Sequence, residues 1–476
     1  MTEHDRPLEE FPPLQPLPSF WQAAFCFGGV FLMISLGMFV YAISIHAILF
    51  LALIWVCLQA HWLGYSFAAI RQMMDDGIIK ALPAIYIFLL IGMVIASFMQ
   101  SGTIASLLYY GIDLLNPTIF LAAGFILCSL MSVATGTSWG TVGTIGVVLI
   151  GIGDAIGIPL PLVAGMIVSG ATFGDKLSPI SDTTNLAAMS AGTQLYRHIG
   201  SMLYTTVPTF IVVLGIYTVW GWEYGAKELP TAHIDEIRTA LADAYQLDLW
   251  ITLLPFLLML GLSIKRYAAE VSMTWSIVLA ILISMLYQDK SGIEVINALW
   301  MNSPGTTGIP NIDELLGRGG VYSMAWTLLL SLLALALGGI LHQAGFLRVL
   351  LEYIIARIQR VSTLIAATIA SGLIGNMTLG EAYISIILNC QLFKGAFEEK
   401  KLDRAVLSRS VEEGSTLTTG LIPWTTAGTF YLATLGIPVL DYAPYALLNL
   451  LNPFISIAMA IMGIGLLRDS DHLSSK

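Results

Sequence analysis

Gly174-Asp175-Lys176-Leu177-Ser178-Pro179-Ile180-Ser181-Asp182-Thr183-Thr184-Asn185 interrupts an apolar run that otherwise extends from about residue 160 to 192. Pro179 removes a backbone donor and clashes with the preceding turn, so a helix entering from residue 160 breaks there. The plainer alternative is a surface loop, but each apolar flank is shorter than the roughly 20 residues a bilayer crossing needs. A broken helix at membrane depth exposes carbonyls and helix ends, tolerated only where they line a cavity or the protein interior. Two carboxylates, two serines, two threonines and an asparagine in this stretch are the hard oxygen ligands a small cation prefers.

Composition places that stretch in a membrane. The 476 residues are 57% hydrophobic and 11% charged, whereas a soluble chain carries about a quarter charged residues. The net charge of -10 says little about partners, because the charges fall between apolar runs. Cys26, Cys57, Cys128 and Cys390 stand alone inside apolar runs and read as small buried hydrophobes. The first eighteen residues are acidic and proline-rich without a basic n-region, so the run near 20–40 is expected to be a true span. Further spans are expected near 43–61, 82–101, 160–192, 196–220, 249–265, 271–288, 323–342, 402–437 and 441–466.

The polar break has a counterpart. Thr418-Thr419-Gly420-Leu421-Ile422-Pro423-Trp424-Thr425-Thr426 keeps the proline and hydroxyls but has no acid, and Pro423 lies 244 residues after Pro179. Gln100-Ser101-Gly102 pairs with Gln343-Ala344-Gly345 at an offset of 243. Two broken apolar pairs, 118–157 and 361–394, carry glycine-bearing breaks at Thr135–Gly140 and Gly375–Gly380. The expected architecture is an all-α polytopic membrane protein with two inverted repeats, 20–220 and 249–466. Each repeat holds a re-entrant hairpin (118–157, 361–394) and a broken transmembrane helix (160–192, 402–437), an elevator-type arrangement. A connector at 221–248 joins them, and tails at 1–19 and 467–476 flank them. An odd number of crossings between the repeats inverts the second, as in many secondary transporters.

Charge predicts the orientation. Arg71, Lys80, Arg197, Lys265, Arg266, Arg348, Arg357, Arg360, Lys394, Lys400, Lys401 and Arg404 fall on one side, and only Lys227, Arg238, Lys290 and Arg318 on the other. By the positive-inside bias both termini are cytoplasmic. Among intramembrane groups, Asp182 and Asp175 are the leading candidates to exchange a proton for a cation, with Glu381 third. Thr137 and Ser138 at one hairpin break, Asn376 and Thr378 at the other, and Ser178, Ser181, Thr183, Asn185, Thr425 and Thr426 at the broken helices are candidate oxygen ligands. For the hydroxyls the alternative is helix–helix hydrogen bonding; for Asp182 it is capping the half-helix that follows. Lys176 reads either as a functional group or as an ion-pair partner of Asp175. Glu412 and Glu413 read as facing the site or a cavity mouth, and Asp75, Asp76 and Asp154 as solvated turn or loop residues.

ATGTSWGTVGTIG (134–146) and GDKLSPISDTTNLA (174–187) resemble the signatures of the NhaC-type sodium/proton antiporter family. The resemblance covers most of the chain and places Thr137, Ser138, Asp175, Ser178, Ser181, Asp182, Thr183 and Asn185 at motif positions. It implies a scaffold of 20–101, 196–288, 323–342 and 441–466 around a mobile part, 118–192 with 361–437, in a cytoplasmic membrane. The match does not give which of them ligate sodium; the expected sodium site is Asp182, Asn185, Thr137 and Ser138. The family also includes exchangers of malate and protons for sodium and lactate. Related sodium–carboxylate symporters carry Ser-Asn-Thr at both hairpin tips, where this chain has Gly136-Thr137-Ser138 and Asn376-Met377-Thr378, which argues against a carboxylate substrate. The expected function is sodium/proton exchange, with a malate/lactate-type exchanger as the alternative and a cation channel behind it. Neither enzyme activity nor a cofactor is expected. The expected partners are sodium ions, protons, membrane lipid and a second copy of the chain, and not nucleic acid.

Overall fold

A backbone in hydrocarbon must satisfy its own hydrogen bonds, which leaves helices or closed barrels, and this chain takes the helical solution. The computed structural model describes residues 17–467 apart from 80, 81, 115, 226–230, 266, 306, 308, 310, 311, 314 and 315, and the described residues form helices and no strand. Most of both tails, together with Lys80, Lys227 and Arg266, lies outside the described residues. Eight helices are long and apolar enough to cross a bilayer, or up to ten if two bent pairs each count as one span. Trp21, Phe31, Phe50 and Ile211 are more than half exposed, as side chains facing lipid are.

Helix breaks fall where the turn chemistry puts them. Pro117–Thr135 starts on Asn116, whose side chain accepts from the Thr118 amide, and ends at Gly136 with φ 71°. The chain resumes as Ser138–Thr141 behind a Thr137 cap, passes a π-helical turn at Val142–Gly146 and continues as Val147–Ala155. Val361–Leu379 ends likewise at Gly380 with φ 69°, and Glu381 caps Ala382–Glu399. Left-handed backbone favours glycine, and Cβ atoms here would also meet Ile180 Cγ1 at 2.5 Å and Ala334 Cβ at 2.8 Å. Leu160–Leu177 gives way to a break around Pro179 and resumes as Asp182–Ala191. Arg404–Gly414 and Thr416–Thr419 precede the Pro423 break, after which Thr426–Leu435 starts on a Thr425 cap.

Three polar segments expected to be loops contain helices. Phe67–Ile79, Thr231–Ala244 and Gly292–Trp300 are helical, because their apolar residues form one narrow stripe too short to read as a span. Asp75 and Asp76 therefore sit on a helix, Asp76 accepting from Gln343, and Asp154 lies in Val147–Ala155. The span expected at 249–265 divides into Leu249–Thr252 and Leu254–Ile264.

Leu195–Gly225 and Leu447–Ile461, expected in the scaffold, pack against Pro117–Thr135, Leu160–Leu177, Val361–Leu379 and Arg404–Gly414. Their Ser201, Thr205, Thr209, Asn449 and Asn452 are buried and need polar partners there. Val321–Gln343 packs against Ile45–Trp62, Phe67–Ile79 and Leu82–Gln100 on one side and Thr426–Leu435 and Val361–Leu379 on the other.

Candidate functional site

Asp175 and Lys176 are neighbours on the last turn of Leu160–Leu177, and helical geometry turns adjacent side chains about 100° apart. Asp175 faces a small cavity, while Lys176 points away from it to Asn452 Oδ1 at 2.9 Å and Glu413 Oε1 at 3.7 Å. Asp175 and Lys176 are thus not each other's ion pair. Glu412 and Glu413 are fully buried, because the helix carrying them packs against Asp182–Ala191, Leu195–Gly225, Val361–Leu379, Ala382–Glu399 and Leu447–Ile461.

Asp175 lines that cavity and is 6% exposed. Ser138, from the first hairpin break, donates to its Oδ2 at 2.6 Å, and Ser181, from the helix break, donates to its Oδ1 at 2.6 Å. Ser181 is within 3.0 Å of the Thr183 hydroxyl. Asp182 opens the next half-helix and is exposed; its Oδ1 accepts from the Thr183 amide at 3.0 Å and its Oδ2 from the Tyr383 hydroxyl at 2.5 Å. Glu381 is buried, with Thr426 donating to Oε2 at 2.5 Å and the Tyr383 amide to Oε1 at 3.3 Å. Glu381 stands at the second hairpin break, yet the packing of both breaks keeps it from water. Asp175 and Glu381 are each within electrostatic reach of Asp182.

The cavity holds about 60 Å³, where one water needs roughly 10–15 Å³. Its walls include Thr137, Ser138, Thr183, Thr426 and all three acids, with no lysine or arginine. A second cavity of about 420 Å³ shares Ile87, Thr137, Asp182 and Tyr383 with it and runs along Met259–Met273. Asp182 and Tyr383 stand where the two meet.

The other expected ligands are occupied. Ser178 donates to Val133 O, Asn185 to Pro179 O and Ser181 O, Thr378 to Ile374 O and Gly375 O, and Thr425 to Thr419 O. These four hold the breaks in shape and do not line the cavity. Asn376 donates to Ser415 O and Thr418 and leaves its buried Oδ1 without a partner; it too is absent from the cavity wall. Tyr383, Tyr431, Trp139 and Thr416, which line the cavity, were not among the expected site residues. An aromatic ring or threonine within an apolar helix carries the same signal as ordinary packing, so nothing local marked them.

The profile of the Na+/H+ antiporter family matches residues 15–222 and 170–464. The chain is 35% identical over 439 residues to the "Na(+)/H(+) antiporter NhaC" of Alkalihalophilus pseudofirmus, covering 92% of this chain and 94% of that protein. It is 33% identical over 435 residues to the "Malate-2H(+)/Na(+)-lactate antiporter" of Bacillus subtilis, covering 91% and 92%. It is 32% identical over 462 residues to the "Arginine/ornithine antiporter ArcD" of Halobacterium salinarum, covering 96% and 95%.

Proposed function

The chain belongs to the Na+/H+ antiporter family and is a multi-pass secondary antiporter; on that premise we propose that Asp175 is the carboxylate that exchanges sodium for a proton. The observation that carries this is the pair of serine hydroxyls, each 2.6 Å from one Asp175 oxygen, on a buried carboxylate lining a cavity at a helix break. Protonated Asp175 plus a sodium ion gives ionised Asp175 holding sodium and releases one proton. The two loads are mutually exclusive, as antiport requires. Asp182, favoured from sequence, takes a different part here. An exposed carboxylate keeps its water and discriminates poorly between loads, so Asp182 attracts cations to the mouth, with Tyr383 across it. Glu381 and Thr426 form the facing wall.

Three acids and no basic side chain around the cavity favour a cation over a malate- or lactate-like anion, and the cavity's size favours a monatomic ion. The wider cavity is lined by Ser263 and Tyr267, at the turn after Leu254–Ile264 that the lysine and arginine bias assigns to the cytoplasm. We read this conformation as inward-open, in a cytoplasmic membrane. The hairpins, broken helices, Leu195–Gly225 and Leu447–Ile461 would move as one body, across two inverted repeats, to expose the cavity outward.

Asp175→Asn and Asp182→Asn, reconstituted in proteoliposomes, separate the roles. Asp175→Asn is expected to abolish sodium-driven proton movement and binding of radioactive sodium. Asp182→Asn should retain both with sodium affinity lowered about tenfold, or about 1.4 kcal/mol. Normal exchange by folded Asp175→Asn protein overturns the assignment.

A further inference from the structure

Glu412 and Glu413 are adjacent on Arg404–Gly414, and both are wholly buried. A buried carboxylate needs compensation, and the two obtain it differently. Glu413 Oε1 accepts from Thr205 at 2.5 Å and has Lys176 Nζ at 3.7 Å. Arg409, donating from Nη1 to Ser201 O and Gly465 O, lies within electrostatic reach of Glu413. Glu413 therefore has a standing cation. Glu412 has no lysine or arginine in contact among the described residues. Its Oε1 is 3.4 Å from the Thr416 hydroxyl, and its Oε2 is 3.3 Å from His198 Nε2, not aligned as a hydrogen bond. Cys390, on Ala382–Glu399, faces the same carboxylate, and Lys176 senses its charge from Leu160–Leu177.

The Ser408 hydroxyl links the imidazole to the backbone: Oγ reaches Ala405 O at 3.1 Å and His198 Nδ1 at 2.6 Å. With the hydroxyl hydrogen on Ala405 O, His198 Nδ1 is the donor to Ser408 Oγ. A neutral ring protonated on Nδ1 turns the bare lone pair of Nε2 towards Glu412 Oε2. An ionised Glu412 and a neutral His198 would bring two acceptors face to face in a site without water-sized exposure. One additional proton, on either Nε2 or Oε2, removes the conflict.

We propose that Glu412 and His198 form a second proton-binding site, separate from Asp175, which exchanges its proton with the cation cavity through the Thr416 hydroxyl. Thr416 lines that cavity and reaches Glu412 Oε1, so a single hydroxyl stands between the two sites. The proton moves from Glu412 or His198 to the cavity as sodium arrives, and returns when sodium leaves. No covalent bond other than O–H and N–H changes. The site rests on the reading of the cavity as the place of exchange, and it adds one proton to the transport cycle.

Glu412→Gln, which stays uncharged and can neither bind nor release a proton, is the test, read as the proton-to-sodium ratio from reversal potentials in proteoliposomes. The expected result is a ratio lower by one than in the unsubstituted protein, with sodium binding changed less than about threefold, a shift below 1 kcal/mol. An unchanged ratio and pH profile overturns the proposal, and so does loss of sodium binding in folded protein, which marks a structural role. A second measurement leaves Glu412 intact. In full-length protein with the other six of its 7 histidines replaced, nitrogen NMR of His198 in nanodiscs should show protonated Nδ1. Its Nε2 signal should change when sodium is added. An Nε2 signal indifferent to sodium sinks the idea even where Glu412→Gln does not fold. Failure of the Asp175 assignment shows separately, as normal exchange by Asp175→Asn.

Discussion

Ser138 and Thr378 both stand at hairpin breaks, and their hydroxyls are spent differently. Ser138 donates out of its own hairpin to Asp175 at 2.6 Å, whereas Thr378 donates back into its own helix at Ile374 O and Gly375 O. A hydrogen bond to a charged partner contributes about 1.5–3 kcal/mol. Ser138→Ala should accordingly raise the sodium concentration for half-maximal exchange at least tenfold, since about 1.4 kcal/mol is a factor of ten. Thr378→Val should change it less than about twofold. Sodium-titrated proton flux in proteoliposomes measures both, and equal effects would show that the two hydroxyls play the same part. Both residues were visible as candidates in the sequence. Which of them is aimed at a carboxylate was not, because a hydroxyl's partner depends on which helix packs over it.

Small residues set how closely the elements approach. The Cβ of an alanine at Gly414 would collide with the Ile369 carbonyl oxygen, and one at Gly372 would lie 2.6 Å from the Gly414 carbonyl carbon. Val361–Leu379 thus rests with its backbone directly on Arg404–Gly414, the close packing that glycine permits between membrane helices. That contact holds Glu412 and Glu413 in place behind the second hairpin. Gly414→Ala should destabilise the protein by about 1–3 kcal/mol, seen as a lower midpoint of thermal unfolding in detergent. Gly395 is the control: nothing lies within 4 Å of its Cβ position. Gly395→Ala should raise the midpoint slightly, since alanine is favoured in helices by up to about 1 kcal/mol. A midpoint for Gly414→Ala at or above that of Gly395→Ala would show that the helices have slack.

Across the whole molecule, exposed apolar surface and the distribution of lysine and arginine set how the chain sits in a bilayer. Thr239 on Thr231–Ala244 and Glu399 at the end of Ala382–Glu399 are both exposed, and the charge bias puts them on opposite sides. An impermeant thiol reagent added outside intact cells should label Thr239→Cys and not Glu399→Cys, with the pattern reversed in inverted vesicles. Labelling of Glu399→Cys from outside would invert the topology and, with it, the inward-open reading.

The sequence by itself determined the class of the protein and the positions of its breaks. Composition excludes a soluble chain, and glycine and proline end helices through backbone chemistry that acts within a few residues, wherever the helix lies. It also marked Asp175, Ser138 and Ser181, because carboxylates and hydroxyls in an apolar run are conspicuous. It did not reveal the helices Phe67–Ile79, Thr231–Ala244 and Gly292–Trp300, whose narrow apolar stripes look like polar loops. Only the tertiary structure decided that Asp175 is enclosed and Asp182 exposed, that Lys176 answers Glu413 rather than Asp175, and that His198 meets Glu412. Those relations join residues up to 237 positions apart, Lys176 to Glu413. The physical reason is that burial and charge pairing depend on which helices pack together, and no local pattern encodes that.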